Sequence, residues 1–291
     1  MNATTTTAFG LTIHSELALP GLRTATGAPD ILIRRGKVPE PPGFPPSGIA
    51  HYQADGTDAL AWLDRARLRV TDSKITVDST DEAFAQQCVV GPGLGVLLHQ
   101  RGMLVLHGAA LDVNGQAVVL LGEKGAGKST TAAALIARGH RLLTDDLVAL
   151  DPSASAPTVL PGPTQMKLWP EAIEAIGLDA TVTPFFDGLA KGIWAEAPTT
   201  ARPTPLALVV SLGWGEPEWT DLDGTGAFGA LFGDVYAPRF LGAVASASLM
   251  RPIHELANGT SVARVTRPHQ LESVADLVSR VETQVAKSTE A

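Results

Sequence analysis

One short stretch constrains the fold of this chain more than any other feature. It reads Gly122-Glu123-Lys124-Gly125-Ala126-Gly127-Lys128-Ser129 and fills every fixed position of the phosphate-binding loop (P-loop, or Walker A) pattern G-x-x-x-x-G-K-[ST]. Its glycines keep side chains away, so that consecutive backbone N–H groups and a following helix N-terminus can hold phosphate oxygens. The pattern predicts a nucleoside triphosphate site in which Lys128 reaches the terminal phosphates and the Ser129 hydroxyl holds Mg²⁺.

The residues on either side of the loop support this interpretation. Residues 117–121 are continuously apolar, as in a buried strand, and residues 130–138 favour a helix that ends at Gly139. Strand, loop and helix therefore follow in the order that a P-loop requires. Asn114-Gly115 suits a two-residue type I′ turn, which predicts a hairpin between residues 109–113 and the strand that leads into the loop.

Composition narrows the class of protein. With 291 residues, of which 45% are hydrophobic, the chain can bury one large core or two smaller ones. A formal net charge of -8 and the lack of a basic stripe argue against nucleic acid as a partner. Cys88 is the only cysteine, so no internal disulfide can form. The start of the chain does not resemble a signal peptide, and no apolar stretch approaches the ~20 residues of a membrane span, so we expect a cytoplasmic protein without a membrane partner.

The pattern along the chain predicts three parts. Residues 1–80 form a small β-rich domain with strands at 10–13, 30–33, 59–63, 67–70 and 74–77, and with an extended proline-rich connection at 38–46. Residues 81–103 are a helical connection that Gly91-Pro92-Gly93 breaks into two helices. Residues 104–291 are the P-loop domain, with further strands at 141–144, 147–150, 206–212 and 262–265. Its further helices are predicted at 171–176 and 223–249, followed by a C-terminal helix with Leu271, Val274, Val278, Val281 and Val285 on one face.

A pair of carboxylates follows the loop by about twenty residues. The strand at 141–144 is predicted to end in Asp145-Asp146. One carboxylate could bind a metal ion and the other could accept the proton of an attacking hydroxyl. The alternative is that the two aspartates only cap a turn before Leu147.

The order of these motifs resembles the HPr serine kinase/phosphorylase family. The resemblance rests on Leu106-His107-Gly108, the hairpin, the P-loop through Thr130, and Arg138-Gly139-His140-Arg141-Leu142-Leu143-Thr144-Asp145-Asp146. Residues 161–170 (P-G-P-T-Q-M-K-L-W-P) extend it toward the smaller HPr-kinase-like proteins found beside peptide-modification genes. Among these are kinases that phosphorylate lasso-peptide precursors, a class of ribosomally made, modified peptide (RiPP).

The resemblance implies a fold, a reaction and a set of roles. The fold would be an α/β nucleotide domain of the HPr-kinase and phosphoenolpyruvate-carboxykinase type with a mixed sheet and some α+β character, and the reaction would be the ATP- and Mg²⁺-dependent phosphorylation of a serine hydroxyl. Asp145 would be the general base, Asp146 the magnesium ligand together with Ser129, and His107 a neighbour that assists the base. Residues 122–130 would bind the nucleotide. For Glu123 the sequence leaves two roles open, contact with the metal or substrate and a merely exposed carboxylate.

The chain also departs from the family. An E-[IV]-R-G-x-G stretch, linked to phosphorolysis and to HPr engagement, is absent, and the corresponding residues 188–194 read G-L-A-K-G-I-W. We therefore expect a peptide or small protein other than HPr as the acceptor, and the N-terminal β-rich unit is free to recognise it. A small hydroxylated metabolite as acceptor, or a regulatory nucleotide-binding module without kinase activity, are the alternatives. Homo-oligomers are compatible with all three.

Two lysines stand in unusual surroundings. Lys167 and Lys191 lie beside Leu168-Trp169 and Ile193-Trp194, where they could contact nucleotide phosphates or a substrate carboxylate. The alternative is that each lies along apolar surface with its ammonium group in water. The proline- and glycine-punctuated run at 181–202 could be a lid over the site.

Overall fold

The computed structural model describes residues 3–39, 49–54, 57–62, 65–178, 181–184, 191–238 and 243–290. The chain divides into two compact units. The first consists of Met1–Val105 with Tyr236–Leu249, and the second of Leu106–Val235 with Met250–Ala291. The helical stretch predicted as a connection at 81–103 is part of the first unit. Most of the proline-rich run at 38–46 lies outside the described residues.

The first unit contains an eight-stranded sheet. Its strands are β1 Thr4–Ala8, β2 Leu11–Ser15, β3 Arg23–Thr24, β4 Ile31–Arg35, β5 Ile49–Ala54, β6 Thr57–Trp62, β7 Ala66–Val70 and β8 Lys74–Ser79, in the order β3-β1-β2-β4-β8-β7-β6-β5. The five predicted strands correspond to β2, β4, β6, β7 and β8. Strand β1 was not predicted, although its β-branched threonines suit a strand and alternate toward the core.

Two helices follow the sheet without a break between them. They are α1 Glu82–Cys88 and α2 Leu94–Gln100, joined by a π-helical turn at Val89–Gly93. The Asp81 carboxylate caps α1 by accepting a hydrogen bond from the backbone N–H of Phe84 at 3.0 Å. The prediction that Gly91-Pro92-Gly93 interrupts the helix is therefore wrong. A π-helical turn accommodates the missing N–H of Pro92, and the helix continues through it.

The second unit is built around a mixed sheet. The further strands among the described residues are β9 Val105–Val113, β10 Gln116–Leu121, β11 Arg141–Ala149, β12 Thr158–Val159, β13 Met166–Leu168, β14 Val182–Pro184, β15 Gly192–Trp194, β16 Thr204–Trp214, β17 Glu218–Leu222 and β18 Ser261–Arg267. The order in the main sheet is β11-β9-β10-β16-β18-β17, with β12 paired to β16, and β13-β15-β14 form a small separate sheet. Strands β10, β16 and β18 run parallel, whereas β9 and β10 form an antiparallel hairpin.

The hairpin confirms the predicted turn. Asn114 and Gly115 have φ angles of 54° and 85°, both in the left-handed region that a type I′ turn requires. The Asp112 carboxylate stabilises the turn by accepting a hydrogen bond from the backbone N–H of Gly115 at 2.7 Å. The strand that leads into the P-loop is therefore held between β9 and β16 in the interior of the sheet.

The described residues contain five further helices: α3 Lys128–Ala137, α4 Pro170–Ile176, α5 Gly224–Gly233, α6 Ala243–Gly259 and α7 Ser273–Glu290. Helix α4 begins at Pro170 and ends at Gly177 (φ 67°), as predicted. The predicted helical stretch at 223–249 corresponds to α5 and the first part of α6. No helix in the described ranges is long and apolar enough to cross a membrane.

Helix α7 packs its apolar face into the core of the second unit. Val274, Val278, Val281 and Val285 are buried as predicted and join a cluster that includes residues of α3. Leu271 does not, because it precedes the helix and 47% of its surface is exposed. Leu277, which was not predicted, takes part instead.

Candidate nucleotide and phosphoryl-transfer site

The P-loop links β10 to α3 with its backbone open to a ligand. Gly122, Gly125 and Gly127 have φ angles of 129°, 92° and 91°, which only glycine adopts easily. Gly127 is the N-cap of α3 and makes no side-chain capping hydrogen bond. The first-turn N–H groups of α3, including those of Ser129 and Thr130, can therefore meet an anion.

Lys128 lies back over its own loop. Its ammonium group donates hydrogen bonds to the carbonyl oxygens of Gly122 at 2.5 Å and Glu123 at 3.3 Å. Burial lowers the pKa of Lys128 from its usual value, although the charges of Asp234, Asp146 and Asp145 act in the opposite direction. Those three carboxylates therefore lie within electrostatic range of the lysine that the sequence assigns to the phosphates.

The two aspartates of β11 differ in environment. The strand does not end at Asp145-Asp146 as predicted but continues to Ala149, and Asp146 takes a φ angle of 67° in its middle. Aspartate tolerates this left-handed conformation better than most residues, so the strand can turn locally without ending. Both side chains remain partly exposed. The two aspartates therefore lie within a continuing strand and not at its end.

Lys167 on β13 contacts both aspartates. Its backbone N–H donates to Asp145 Oδ2 at 2.9 Å, and its ammonium group pairs with Asp146 Oδ2 at 2.5 Å. Burial and the neighbouring Asp146 charge raise the pKa of Asp145 to about 6. Burial acts in the same direction on Asp146, but the charge and hydrogen bond of Lys167, together with His107, outweigh it and hold the pKa of Asp146 below its usual value. The surroundings thus separate the pKa values of two adjacent carboxylates.

His107, on β9 next to β11, lies beside the pair. Burial and the charge of Lys128 lower the pKa of His107, and the charges of Asp146 and Asp234, together with a hydrogen bond to the Asp146 backbone, only partly oppose this. Its backbone N–H donates to the carbonyl of Asp234 at 2.7 Å. The pairing of β9 with β11 in the sheet brings His107 close to Asp145 and Asp146, which lie 38 and 39 positions further along the chain.

Asp234 is a site residue that the sequence reasoning missed. It ends helix α5, and its carboxylate accepts a hydrogen bond from the backbone N–H of Gly122 at the start of the P-loop. Burial raises its pKa, while that hydrogen bond and the charge of Lys128 lower it. It lies more than one hundred residues beyond the loop in a stretch predicted as mostly helical, so no local pattern marks it.

Of the remaining predicted residues, Lys191 lies near the site, and the others belong to the exposed part of the loop and to the predicted lid. Lys191 acts electrostatically on Lys128 and both aspartates, and its ammonium lies 5.9 Å from the centre of the Trp169 ring. Glu123 and Lys124 are exposed on the loop. Residues 185–190 of the predicted lid lie outside the described residues, whereas Trp194 is buried in the small sheet.

Arg138 and His140, which carry part of the family resemblance, face α7 instead of the site. Arg138 Nη1 donates to Glu282 Oε2 at 2.7 Å, and His140 Nε2 lies 2.9 Å from Glu282 Oε1. Arg138 Nη2 also donates to Ser279 Oγ at 2.9 Å. These motif residues therefore fasten α7 to the end of α3, a structural role.

The donor set suits Mg²⁺, which prefers carboxylate and hydroxyl oxygens and usually binds through one or two carboxylates together with substrate phosphates. Asp146, which stays ionised, and Ser129 provide such oxygens. In the part of the chain that the structure describes, no three His, Cys, Asp or Glu residues are grouped so as to hold a metal. Phosphate oxygens would have to complete the coordination.

Fold and site together define a P-loop α/β domain with a carboxylate pair beside the phosphate loop. Residues 101–178 match the family model of the HPr serine kinase C-terminal domain. This segment, which contains the P-loop and the aspartate pair, is HPr-kinase-like, and the resemblance inferred from the motifs is confirmed over it. His107, Asp145, Asp146 and Lys167 all fall inside the matched range.

Individual relatives match over the same region. The chain is 53% identical over 45 residues to the HPr kinase/phosphorylase of Lachnoclostridium phytofermentans, covering 16% of this chain and 15% of that protein. It is 48% identical over 75 residues to the HPr kinase/phosphorylase of Aromatoleum aromaticum, covering 25% of this chain and 22% of that protein. The chain thus aligns with less than a quarter of the length of these relatives.

Among solved structures, the HPr(Ser) kinase/phosphatase from Coxiella burnetii matches at 17% identity with a TM-score of 0.32, over 63% of this chain and 94% of that one. This similarity is too low to bear on the details of the fold.

Proposed function

We propose that this chain is an ATP- and Mg²⁺-dependent kinase that transfers the γ-phosphoryl group to the serine-type hydroxyl of a peptide or small protein. One arrangement carries the proposal: Asp145 and Asp146 of β11, both in contact with Lys167 of β13, lie near enough to Lys128 of the P-loop for their charges to act on its pKa. A carboxylate base and a phosphate-binding lysine within one cluster are what in-line phosphoryl transfer needs. The match to the HPr serine kinase C-terminal domain supports the choice of a serine-type acceptor.

The two aspartates divide the work in this proposal. Environments that push two carboxylate pKa values apart commonly separate an acid–base group from an electrostatic one. Asp145, with its pKa raised to about 6, is largely ionised at neutral pH and accepts the acceptor hydroxyl proton at a carboxylate oxygen. Asp146 stays ionised and, with Ser129, would hold Mg²⁺, which neutralises charge on the phosphates when bound.

The proposed reaction is a displacement at the γ-phosphorus. The acceptor oxygen forms a bond to the γ-phosphorus while its proton moves to Asp145, and the bond between the γ-phosphorus and the bridging oxygen breaks. The released electron pair stays on the β-phosphate of ADP, where Lys128 and the first-turn N–H groups of α3 stabilise the developing charge. Lys128 must leave the carbonyl oxygens of Gly122 and Glu123 to do so.

Peptides rather than metabolites are our choice of acceptor because residues 161–170 resemble the small HPr-kinase-like proteins near peptide-modification genes. Lasso-peptide precursors are one such class. The missing E-[IV]-R-G-x-G stretch leads us to expect transfer in the forward direction only, without HPr as acceptor.

The test incubates the full chain with [γ-³²P]ATP, Mg²⁺ and a pool of synthetic peptides that each contain one serine. We expect label in peptides from the wild type, none from Lys128→Ala, and unchanged labelling from Lys287→Ala, an exposed lysine of α7. ATP turnover by Lys128→Ala at the wild-type rate would refute the role of the P-loop. Label in small molecules of a cell extract but in no peptide would favour a metabolite kinase, and nucleotide binding without transfer to either would favour a regulatory module.

Direction is tested with labelled product. Phosphorylated peptide incubated with the chain, Mg²⁺ and inorganic phosphate should remain phosphorylated. Release of pyrophosphate would show that phosphorolysis does not need the missing E-[IV]-R-G-x-G stretch. Phosphorylation of HPr at a rate comparable with that of the peptide would show the same for recognition of HPr.

A further inference from the structure

Three parallel strands end at the same edge of the main sheet. Strand β10 leads into the P-loop, its neighbour β16 ends at Trp214, and the next strand β18 ends at Arg267, which is paired with Trp214. In open α/β sheets ligands bind outside the carboxyl ends of the parallel strands. Trp214 and Arg267 therefore lie on the edge of the sheet that carries the phosphate-binding loop.

Both side chains contact the loop at Gly127. A Cβ atom at this glycine would overlap Arg267 Nη2 and would lie 3.4 Å from Trp214 Cη2. Only a residue without a side chain allows so close an approach, quite apart from the left-handed backbone at this position. The guanidinium and the indole thus touch the loop at its last residue, the N-cap of α3, directly before Lys128.

Arg267 is a buried cation whose hydrogen bonding is incomplete. Its exposed fraction is 5%, and Nη1 donates to Ser273 Oγ at 3.0 Å and to the carbonyl of Gln270 at 3.4 Å. Its Nε has no hydrogen-bond partner, and no carboxylate forms an ion pair with it among the residues that the structure describes. Burying a charge without a counter-ion is costly, so an anionic or polar ligand at this place would offset the cost.

Trp214 adds an exposed aromatic surface. Its exposed fraction is 39%, the Arg267 guanidinium lies 4.3 Å from its ring centre, and the exposed His269 ring lies 4.3 Å away at an interplanar angle of 57°. Rings of this kind bind nucleobases by stacking, because every base presents a π face. The P-loop backbone, in contrast, recognises only phosphate.

We propose that Trp214, Arg267 and His269 form the nucleoside half of the nucleotide site, with a purine base stacked on the Trp214–His269 surface and the Arg267 guanidinium turned to the ribose and α-phosphate. The inference rests on the proposed function as an ATP-dependent kinase. It adds a binding surface for the base and ribose, which the P-loop backbone does not recognise. Because stacking tolerates any purine and Arg267 is directed to the ribose and α-phosphate rather than to the base edge, we expect ATP and GTP to bind with similar affinity.

The experiment compares MgATP with magnesium tripolyphosphate, which has the same phosphate chain but no nucleoside. Calorimetric titration of the full chain gives both dissociation constants for wild type, Trp214→Ala, Trp214→Phe and Trp219→Phe. The last is a matched control, because Trp219 also lies under an arginine, with the Arg280 guanidinium 4.9 Å from its ring centre. Thermal unfolding of each variant checks that it is folded.

Loss of one stacked base should weaken ATP binding by Trp214→Ala about 5- to 100-fold and leave tripolyphosphate binding within about twofold of wild type. Trp214→Phe should retain most of the ATP affinity, and Trp219→Phe all of it. In addition, ATP but not tripolyphosphate should quench tryptophan fluorescence, and Trp214→Phe should abolish that quenching. This second readout decides the matter if Trp214→Ala does not fold.

Equal weakening of ATP and tripolyphosphate binding by Trp214→Ala, or no weakening of either, would overturn the inference and leave Trp214 as a cover for Arg267. Selective loss of ATP binding in a chain that transfers no phosphoryl group to any acceptor would support the nucleoside site while refuting the kinase. A wild type that binds neither ligand would refute both.

Discussion

Replacing Asp145 by asparagine separates the catalytic role of the aspartate pair from nucleotide binding. An asparagine oxygen can still accept the hydrogen bond that the Lys167 backbone donates at 2.9 Å, so β11 and β13 should keep their relative position. The substitution removes the group that accepts the hydroxyl proton. It also removes a negative charge next to Asp146, which makes ionisation of Asp146 easier, so its capacity as a metal ligand is not reduced.

The expected effect is therefore on rate alone. A lost general base typically lowers a rate by about 10²- to 10⁴-fold, and we expect kcat to fall at least about 100-fold, which corresponds to ~2.7 kcal/mol in the activation barrier. The loop contacts to the phosphates do not involve Asp145, so the dissociation constant of MgATP should stay within about twofold of the wild-type value.

The assay measures initial rates of peptide labelling together with calorimetric titration of a non-hydrolysable ATP analogue. Asp276→Asn, the same change at an exposed position of α7, is the control and should match the wild type in both. A variant Asp145→Asn that loses nucleotide affinity but keeps its rate per bound nucleotide would show that the roles of Asp145 and Asp146 are exchanged. An unchanged kcat would remove the pair from the chemistry altogether.

Three further predictions follow from single contacts. Asp234→Ala, which leaves the Gly122 N–H without its acceptor, should weaken MgATP binding about tenfold, whereas Asp234→Asn should not; an equal loss in both would point to charge rather than to the hydrogen bond. Glu282→Ala should lower the free energy of unfolding in urea by ~1–3 kcal/mol. Most of this loss comes from the nearly buried His140, because the half-exposed pair with Arg138 contributes less than ~1 kcal/mol. Glu255→Ala, which breaks an exposed ion pair on α6, is the control, and an equally small loss of unfolding free energy in both variants would contradict the prediction. Burial raises the pKa of Cys88 from 9.0 to about 12, so at pH 8 the native thiol should react with iodoacetamide about 1000-fold more slowly than in guanidinium chloride, and comparable rates would show that it is accessible.

Much of the P-loop and its surroundings was determined by local sequence alone. The order of apolar strand, glycine loop and helix, the Asn114-Gly115 turn, and the start and end of α4 all depend on backbone preferences within a few residues, and the structure contains each of them. The buried face of α7 was equally readable, because helical periodicity shows which side chains face a core even when the core is not known.

Other features were beyond local patterns because they depend on contacts between distant segments. Whether β11 ends or bends at Asp146 depends on a lysine from β13, and whether Gly91-Pro92-Gly93 breaks a helix depends on how the neighbouring turns can accommodate a missing N–H. Asp234 and Trp214 carry no sequence motif, and each gains a role only when the fold places it against the P-loop.

The sequence by itself thus determined which residues can hold a triphosphate, because phosphate recognition uses the backbone of one continuous loop. The tertiary structure decided which carboxylates, cations and rings surround that loop, because their positions depend on strand order and on contacts between segments as far apart as Gly127 and Arg267, which are separated by 140 residues. It also decided the role of Arg138 and His140, which stand close to the aspartate pair in sequence. Both contact Glu282 and hold α7 in place, and they do not face the site. A binding loop made of consecutive residues can be read from the sequence. The environment that shifts a pKa or leaves a buried cation without a counter-ion exists only after folding, because distant segments create it.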